Sequence, residues 1–461
     1  MDERFAFDVY FVGQLVRSSL THCRRPITPT DASAKVRDIV EFARSHSSYY
    51  CEQIPSLPKS GTWSLADVPL LEKSALISRF DEIVTEPRIR STELEEYFRA
   101  PFAFERRFKA KYFAFHTSGS TGRPAYLVWG PREFAISTAA YLISIAGSFG
   151  SQSLWSAMRE LRTDAAYIGI LDDYIGGNSW AHAMTRFTKL RMMSVFESRP
   201  KLLLALDETQ PKLIMTKPTV LGELARHQMA GELHIAPKRL IFAGERIAPQ
   251  DKADIQSAFG QVPHNSYSMC ETGPIAFQSD VSQDTLDIMD ELVHVELLDE
   301  EGAPIEEPDI PGQVVVTNLY NRLMPIIRYR TGDVATFVTT PTGGRKLSYI
   351  VGRNTSHFEF GAAVSERFSV PEYPFWSIHV PGVLRYQVIQ DSLTELHIRV
   401  QWNLHADRAS AEEQMRAKID RILGDGNRRQ VVSVSIDDVT EIPLNRSGKV
   451  QITFPLGRTT N

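Results

Sequence analysis

A loop of small hydroxyl and glycine residues is the stretch of this sequence best suited to chemistry. It lies between two short apolar runs, 111–115 and 125–129, which have the length of buried strands. Its six residues are Thr117, Ser118, Gly119, Ser120, Thr121 and Gly122. Glycine lets the backbone approach a ligand closely, and the hydroxyls add donors with little bulk. We expect such a loop to bind a polyanion, the phosphate chain of a nucleotide.

The loop lacks the Gly-Lys-Ser/Thr ending of a Walker phosphate loop, because Gly122 is followed by Arg123 and Pro124. It resembles instead the phosphate loop of the adenylate-forming superfamily, which includes acyl-CoA synthetases, peptide-synthetase adenylation domains and luciferases. Many members end this loop with Pro-Lys, whereas this chain has Pro124-Ala125. Phenylacetate–CoA ligases and their relatives often lack that lysine, so the departure points to their branch.

The segment Tyr267–Gly273 resembles the second signature of the superfamily, an aromatic residue and a glutamate in a short loop. The resemblance implies that Tyr267 lies near the adenine and that Glu271 holds Mg²⁺ on the phosphates. Magnesium takes oxygen ligands and needs few of them from protein, so one carboxylate with phosphate oxygens suffices. Gly244 and Glu245 resemble a stretch that packs against the adenine.

Three further residues carry the resemblance toward the end of the chain. Asp333, in Arg-Thr-Gly-Asp, would accept hydrogen bonds from the ribose hydroxyls, because a carboxylate can accept two bonds from a vicinal diol. Arg353, after Gly352, would face the phosphates. Lys449, in Ser-Gly-Lys, would enter the site during adenylation and stabilise charge as pyrophosphate leaves.

The bulk properties restrict the class of protein. A chain of 461 residues predicts two or more domains, and a formal net charge of -5 argues against a nucleic-acid partner. The three cysteines are not closely spaced, so we predict no disulfide framework. This cysteine usage indicates a reducing compartment, which we expect to be the cytoplasm. We expect no membrane partner, because no apolar run approaches a membrane span and the acidic start lacks a signal-peptide core.

Strand and helix patterns alternate from residue 131 onward, which predicts parallel sheets covered by helices. Residues 290–351 read as antiparallel strands of a barrel-like β subdomain. The predicted fold is α/β, with a large N-terminal nucleotide- and acid-binding domain over 1–352 and a small mobile α+β domain over 353–461.

Several element boundaries can be predicted within this plan. They are helices over 133–147, Val220–Met229 with Thr219 as N-cap, Pro249–Phe259 and 410–423, a strand over 334–337, and a hairpin of 384–389 with 396–400.

The resemblance implies ATP-dependent activation of a small carboxylic acid, aromatic by analogy with the branch, as acyl-AMP with release of pyrophosphate. The acyl group would then pass to CoA. Transfer to a carrier-protein thiol or an amine stays open, because the loop 354–363 departs from the family pattern. A catalytically silent nucleotide-binding relative is the alternative of another class. Five aromatic residues are candidates both for the acid pocket and for the core: Tyr167, Tyr174, Trp180, Phe242 and His264.

Overall fold

The structure of this protein is a computed structural model. It describes residues 7–8, 10–13, 29–54, 63–117, 124–148, 162–171, 174–340, 344–348, 350, 352–353, 357–361, 367–372, 375, 378, 380–403, 406–424, 431–443 and 450–456. Residues 118–122 of the predicted phosphate loop and Lys449 therefore lie outside the described residues. Arg353 is described by its backbone alone.

The chain before the first strand is mostly helical. Its helices are α1 (Pro29–His46), α2 (Ser48–Gln53), α3 (Lys73–Ser78), α4 (Phe80–Ile83) and α5 (Ser91–Arg99). Ser47 caps α2, because its hydroxyl accepts a hydrogen bond from the backbone N–H of Tyr50. The Tyr50 hydroxyl donates to the carbonyl of Pro325 at 3.0 Å, which attaches this helical segment to a distant part of the chain.

A nine-stranded sheet forms the centre of the molecule. Five neighbouring strands are parallel and four more continue the sheet in antiparallel fashion. The parallel strands are β3 (Asp164–Gly169), β4 (Lys189–Ser194), β5 (Leu213–Thr216), β6 (Arg239–Ala243) and β7 (His264–Met269). The others are β8 (Gly273–Phe277), β9 (Thr285–Ile288), β13 (Phe337–Thr339) and β14 (Arg345–Ser348).

Helices cover both faces of the parallel strands, as strand–helix alternation predicted. On one face Ala166 and Ile168 share a core with Leu202, Leu224 and Ile255. Those three leucine and isoleucine residues belong to α8 (Arg199–Thr209), α9 (Pro218–Met229) and α10 (Pro249–Phe259). The opposite face packs against α6 (Pro131–Ser148) and α7 (Gly176–Thr185).

Two short strands that flank the predicted phosphate loop form a separate antiparallel pair. They are β1 (Phe113–His116) and β2 (Tyr126–Trp129). Both are largely buried, which explains their continuous apolar sequence. The two strands predicted on either side of the loop are confirmed.

The residues after 290 form a four-stranded antiparallel sheet in the order β10, β11, β12, β15. Its strands are β10 (Val293–Leu298), β11 (Gly312–Asn318), β12 (Tyr329–Ala335) and β15 (Gly352–Arg353). The sequence predicted a strand over 334–337, whereas β12 already begins at Tyr329. The charged stretch before Val334 pairs with β11, so Asp333 lies on a strand rather than in a turn.

The C-terminal part holds a mixed sheet in the order β20, β19, β18, β21 and one long helix, as predicted. Its elements are β16 (His357–Phe360), β17 (Phe368–Pro371), β18 (Val383–Ser392), β19 (Glu395–Trp402), α11 (Arg408–Leu423), β20 (Ser433–Asp438) and β21 (Thr453–Phe454). The antiparallel pair of β18 with β19 confirms the predicted hairpin. The division of the chain at 352 and 353 stays a prediction.

One predicted helix cap is wrong. Helix α9 begins at Pro218, its N-cap residue is Lys217, and Thr219 lies inside the first turn. Pro218 fits the first helical position because that residue needs no N–H partner and its ring presets the helical φ. The Thr219 hydroxyl instead donates to the carboxylate of Glu245 at 3.1 Å. Within the described part of the chain, no helix combines the length and apolar character that crossing a membrane requires.

Candidate nucleotide site

The two motifs predicted to contact a nucleoside meet directly in the structure. The hydroxyl of Tyr267, on β7, donates a hydrogen bond to Oδ2 of Asp333, on β12, at 2.8 Å. Both side chains are buried. The residues are 66 positions apart in sequence, so this contact joins the large sheet to the four-stranded sheet.

The backbone around Asp333 is fixed by its neighbours. The Asp333 N–H donates to the Thr331 hydroxyl at 3.0 Å, and this hydroxyl donates to the carbonyl of Val314 on β11 at 2.8 Å. Gly332 has a φ of 79°, a left-handed conformation that glycine adopts without steric cost. On the other side β12 pairs with β15, and Asp333 is opposite Arg353 in that register. The predicted Gly352-Arg353 segment therefore lies beside Asp333, the residue predicted to bind the ribose.

Glu271 lies in the turn between β7 and β8 and is buried. Its Oε1 accepts a hydrogen bond from the hydroxyl of Tyr329 at 3.1 Å. Tyr329 is the first residue of β12, so a second contact joins the same two segments. Tyr329 is a contact residue that no motif predicted. Its position inside the Arg-Tyr-Arg-Thr-Gly-Asp stretch was the only available signal, and tyrosines at strand starts are commonly just buried.

A buried arginine supports the start of β12. Arg328 forms two hydrogen bonds with the carboxylate of Glu296 on β10, at 3.1 and 3.0 Å. Its third nitrogen donates to the carbonyl of Val68 at 2.7 Å. Arg328 itself has a φ of 48°, which a non-glycine residue adopts only when its surroundings hold it there. This arginine therefore holds the backbone from which Tyr329 and Asp333 extend.

Gly244 and Glu245 follow β6, at the carboxyl edge of the parallel strands. Gly244 has a φ of 80°, so the chain turns sharply as it leaves the strand. Glu245 lies beside the residues that follow β5, because Thr219 donates to its Oε2 and Lys217 Nζ is 4.0 Å from its Oε1. The structure places both residues at the edge where ligands of such sheets bind.

Thr117 begins the predicted phosphate loop at the end of β1. Its N–H donates to the carbonyl of Ala125, and its hydroxyl accepts from the N–H of Ala125, both at 3.0 Å. The preceding residue, His116, donates its backbone N–H to the carbonyl of Tyr174 at 2.9 Å. Tyr174 follows β3, so the loop starts near the carboxyl edge of the parallel strands. The predicted places of Ser118, Gly119, Ser120, Thr121, Gly122 and Lys449 are not tested, because these residues lie outside the described ones.

A magnesium site at Glu271 would rest on one protein carboxylate. In the described residues no group of three or more His, Cys, Asp or Glu side chains is arranged to hold a metal ion. A single buried carboxylate, oriented by the Tyr329 hydroxyl, fits an ion whose other ligands are phosphate oxygens.

The five aromatic pocket candidates differ in their surroundings. Tyr174, Trp180 and Phe242 are buried in the hydrophobic cores. His264 is buried as well, and its Nδ1 lies 2.8 Å from the carbonyl of Gln278. Tyr167 alone of the five is only partly buried. Burial raises the pKa of the Tyr167 hydroxyl, so it stays a neutral donor at physiological pH.

Comparisons with known proteins agree with this arrangement at the level of the fold. No protein-family model matches the chain, and no curated protein matches its sequence. Among solved structures, a 2-hydroxyisobutyryl-CoA ligase in the post-adenylation state, in complex with R3-HIB-AMP, has a TM-score of 0.67 and 18% identity, over 92% of this chain and 89% of that one.

Two other enzymes match over a smaller part of the chain. The amide bond synthetase McbA from Marinactinospora thermotolerans has a TM-score of 0.51 and 20% identity, over 72% of this chain and 66% of that one. ATP-bound MatB from Rhodopseudomonas palustris has a TM-score of 0.50 and 17% identity, over 73% and 66%. These likenesses confirm the fold that the motif resemblance implied: the chain has the fold of the adenylate-forming enzymes.

Proposed function

We propose that this protein activates a carboxylic acid with ATP, forming acyl-AMP and pyrophosphate. The contact between Tyr267 and Asp333 carries the proposal, because it brings two motifs of separate sheets to one place with a ribose acceptor at its centre. A carboxylate offers about four acceptor positions, so the bond from Tyr267 is compatible with two more from a ribose diol. The fold shared with an acyl-CoA ligase supports the same reaction.

The reaction is a substitution at phosphorus. An oxygen of the acid attacks the α-phosphorus of ATP, the bond from that phosphorus to the bridging oxygen breaks, and pyrophosphate leaves with the electron pair. Positioning and stabilisation of phosphoryl charge supply most of the acceleration in such transfers. Glu271 would hold Mg²⁺, which neutralises phosphate charge when bound. Asp333 and Tyr267 would orient the nucleoside.

The remaining predicted residues complete the proposed site. Residues Thr117–Gly122 would surround the phosphates, Arg353 would face them from beside Asp333, and Gly244 with Glu245 would line the adenine. Lys449 would bridge the acid and the nucleotide. Of these assignments, the β12–β15 register supports the place of Arg353. The turn after β6 supports the place of Gly244.

We propose CoA as the acyl acceptor. Its thiolate would attack the acyl carbon, AMP would leave, and the thiol proton would pass to solvent. The likeness to a CoA ligase over 92% of the chain supports this acceptor. The likeness to an amide bond synthetase makes an amine the second candidate, and a carrier-protein thiol is the third. The sequence resemblance implies an aromatic donor acid, which stays a prediction.

The test is product analysis by mass spectrometry. The purified protein is incubated with ATP, Mg²⁺ and a panel of aryl, aliphatic and amino acids, first without an acceptor and then with CoA, a carrier protein or an amine. We expect acyl-AMP in the first set and acyl-CoA in the second. Amide or acyl-carrier products would show that the acceptor is an amine or a carrier protein and not CoA. Nucleotide binding without acyl-AMP from any acid would favour the catalytically silent relative.

A further inference from the structure

Tyr167 occupies the space beside two glycines, Gly169 and Gly177. Its ring leans along β3 toward the carboxyl edge, because a methyl group at Gly169 would lie 2.6 Å from Cε1 of Tyr167. Its hydroxyl reaches the start of α7, where a methyl group at Gly177 would lie 3.1 Å from the hydroxyl oxygen. Such distances exclude a side chain at Gly169 unless the ring moves. The glycines therefore accommodate this tyrosine.

The orientation of the Tyr167 ring is supported by a buried amide. The hydroxyl donates to Oδ1 of Asn178 at 3.4 Å, and the Nδ2 of Asn178 donates to the carbonyl of Ile170. Asn178 is only 1% exposed. Because this amide bonds the chain on both sides of the ring, Tyr167 is held across the gap between β3 and α7.

This gap adjoins the turn that carries Glu271. A methyl group at Gly176 would lie 3.0 Å from Sγ of Cys270 and 2.8 Å from Cζ3 of Trp180. The start of α7 thus touches the residue next to Glu271. If Glu271 holds Mg²⁺ on the phosphates, as proposed above, an acid attacking the α-phosphate would bind close to this turn, and the start of α7 with Tyr167 would border its side chain.

We propose that Tyr167 determines the size of the acid and restricts the enzyme to short aliphatic acids. The inference rests on the proposed function and replaces the aromatic donor that the sequence resemblance implies, because an aryl group would need the space that the Tyr167 ring fills. Tyr167 is partly buried and packs at the border of the core. The volume of the Tyr167 ring limits the space for the acid, so a shorter side chain at this position should enlarge the site.

The experiment measures kcat/KM for acid-dependent pyrophosphate exchange with propionate, isobutyrate, benzoate and phenylacetate. Wild-type protein should favour the aliphatic acids. Tyr167→Ala should raise the ratio of aryl to aliphatic kcat/KM by roughly 10- to 100-fold, the range that pocket volume commonly supplies. Tyr167→Phe is the matched control, because it keeps the ring, removes the bond to Asn178 and should keep the wild-type ratio.

Three results would overturn the inference. These are a wild-type preference for aryl acids, an unchanged ratio in Tyr167→Ala, or a changed ratio in Tyr167→Phe equal to that of Tyr167→Ala. If Tyr167→Ala does not fold by circular dichroism, Tyr167→Leu provides the same comparison with a smaller void. Absence of exchange with every acid overturns the proposed function itself, which separates that failure from a wrong size assignment.

Discussion

Asp333 is the residue on which nucleotide recognition depends in this account. It is buried, held by the backbone of β12, and contacted by the Tyr267 hydroxyl. Replacing it with alanine removes the acceptor for the ribose hydroxyls. Hydrogen bonds to a charged group contribute about 1.5–3 kcal/mol each, so losing both bonds from the ribose diol in Asp333→Ala should weaken ATP binding by roughly 100-fold or more. Isothermal titration of ATP measures this change.

Tyr267→Phe serves as the control for that titration. It removes one hydrogen bond to Asp333 but keeps the carboxylate, so its loss of ATP affinity should be clearly smaller. Equal affinities of wild type and Asp333→Ala would show that this carboxylate does not contact the ribose.

His294 gives the fold a dependence on pH. Burial, reinforced by Arg345 and Arg328, lowers the pKa of His294 to about 4. An unfolded chain binds the proton near pH 6.5, so the stabilisation is complete above that pH and is lost as the pH falls toward 4. Between about pH 7 and pH 5 we expect the free energy of unfolding to fall by about 1–2 kcal/mol from this residue.

The measurement for His294 is urea denaturation at those two pH values. His294→Gln cannot take up the proton, so its loss of stability on acidification should be smaller by that amount. A variant that loses as much stability as the wild type would assign the acid sensitivity to other groups.

At the residue scale the family resemblance singled out Tyr267 and Asp333 as nucleoside-binding residues, and the structure brings their side chains into contact. Their direct contact could not be predicted, since no periodicity relates β7 to β12. Thr219 was placed wrongly for a similar reason. A threonine before a helix is a good cap in isolation, but here Glu245 from another loop accepts its hydroxyl.

At the element scale the helix Pro249–Phe259 was predicted with its observed bounds. Pro249 fits the first turn and Gly260 takes the left-handed conformation, with a φ of 64°, that ends a helix. Strand β12 was predicted over 334–337 but runs from Tyr329 to Ala335, because Tyr329–Asp333 carries charges that suggest a turn, and Phe337 belongs to the next strand, β13. The strand forms since Arg328 is satisfied by Glu296 and Val68, which no local pattern shows.

The buried ion pair of Arg328 with Glu296 should stabilise the four-stranded sheet, because it connects the start of β12 with β10. Their side chains are only 5% and 12% exposed. Removing one partner of a buried ion pair leaves an uncompensated charge and costs about 3–5 kcal/mol. We expect Arg328→Met to lower the free energy of unfolding by that amount in urea denaturation.

An exposed ion pair of the same type provides the control. Arg99 and Glu95 pair along α5 with side chains 74% and 56% exposed. Arg99→Met should change stability by less than about 0.5 kcal/mol. Similar losses in the free energy of unfolding of the two variants would mean that burial does not strengthen the contribution of the Arg328 pair to stability.

At the scale of the whole molecule, the C-terminal sheet meets the large sheet through α10 and β18. On α10, Asp251 and Asp254 are buried and both bind Arg226 of α9, at 2.9 and 3.1 Å. Arg385 of β18 adds a favourable charge, although burial is the larger influence and raises the pKa of Asp251. The charge of Arg385 thus attracts Asp251 across the boundary between the two parts of the chain.

Lys449 tests the proposed movement of the C-terminal domain. If this lysine enters the site only for adenylation, Lys449→Ala should abolish acyl-AMP formation while transfer from supplied acyl-AMP to CoA stays largely intact. The two half-reactions are measured separately by pyrophosphate release and by thioester formation. Equal losses in both would contradict the domain-rotation hypothesis.

The order of sheets along the chain was predictable, because strand–helix alternation and turn-bounded strands are local patterns. The donor acid was not, since the space available to it depends on how Tyr167, Asn178 and the glycines of β3 and α7 pack together. In the sequence, these residues lie outside the recognised motifs and belong to no repeated pattern.

The most direct test of the account is exchange of labelled pyrophosphate into ATP by the wild-type protein, with and without a panel of acids. We predict exchange that requires both Mg²⁺ and one class of carboxylic acid, and its loss in Asp333→Ala. Exchange that proceeds equally without any acid, or no exchange with every acid although ATP binds, would contradict acid activation as the function of this protein.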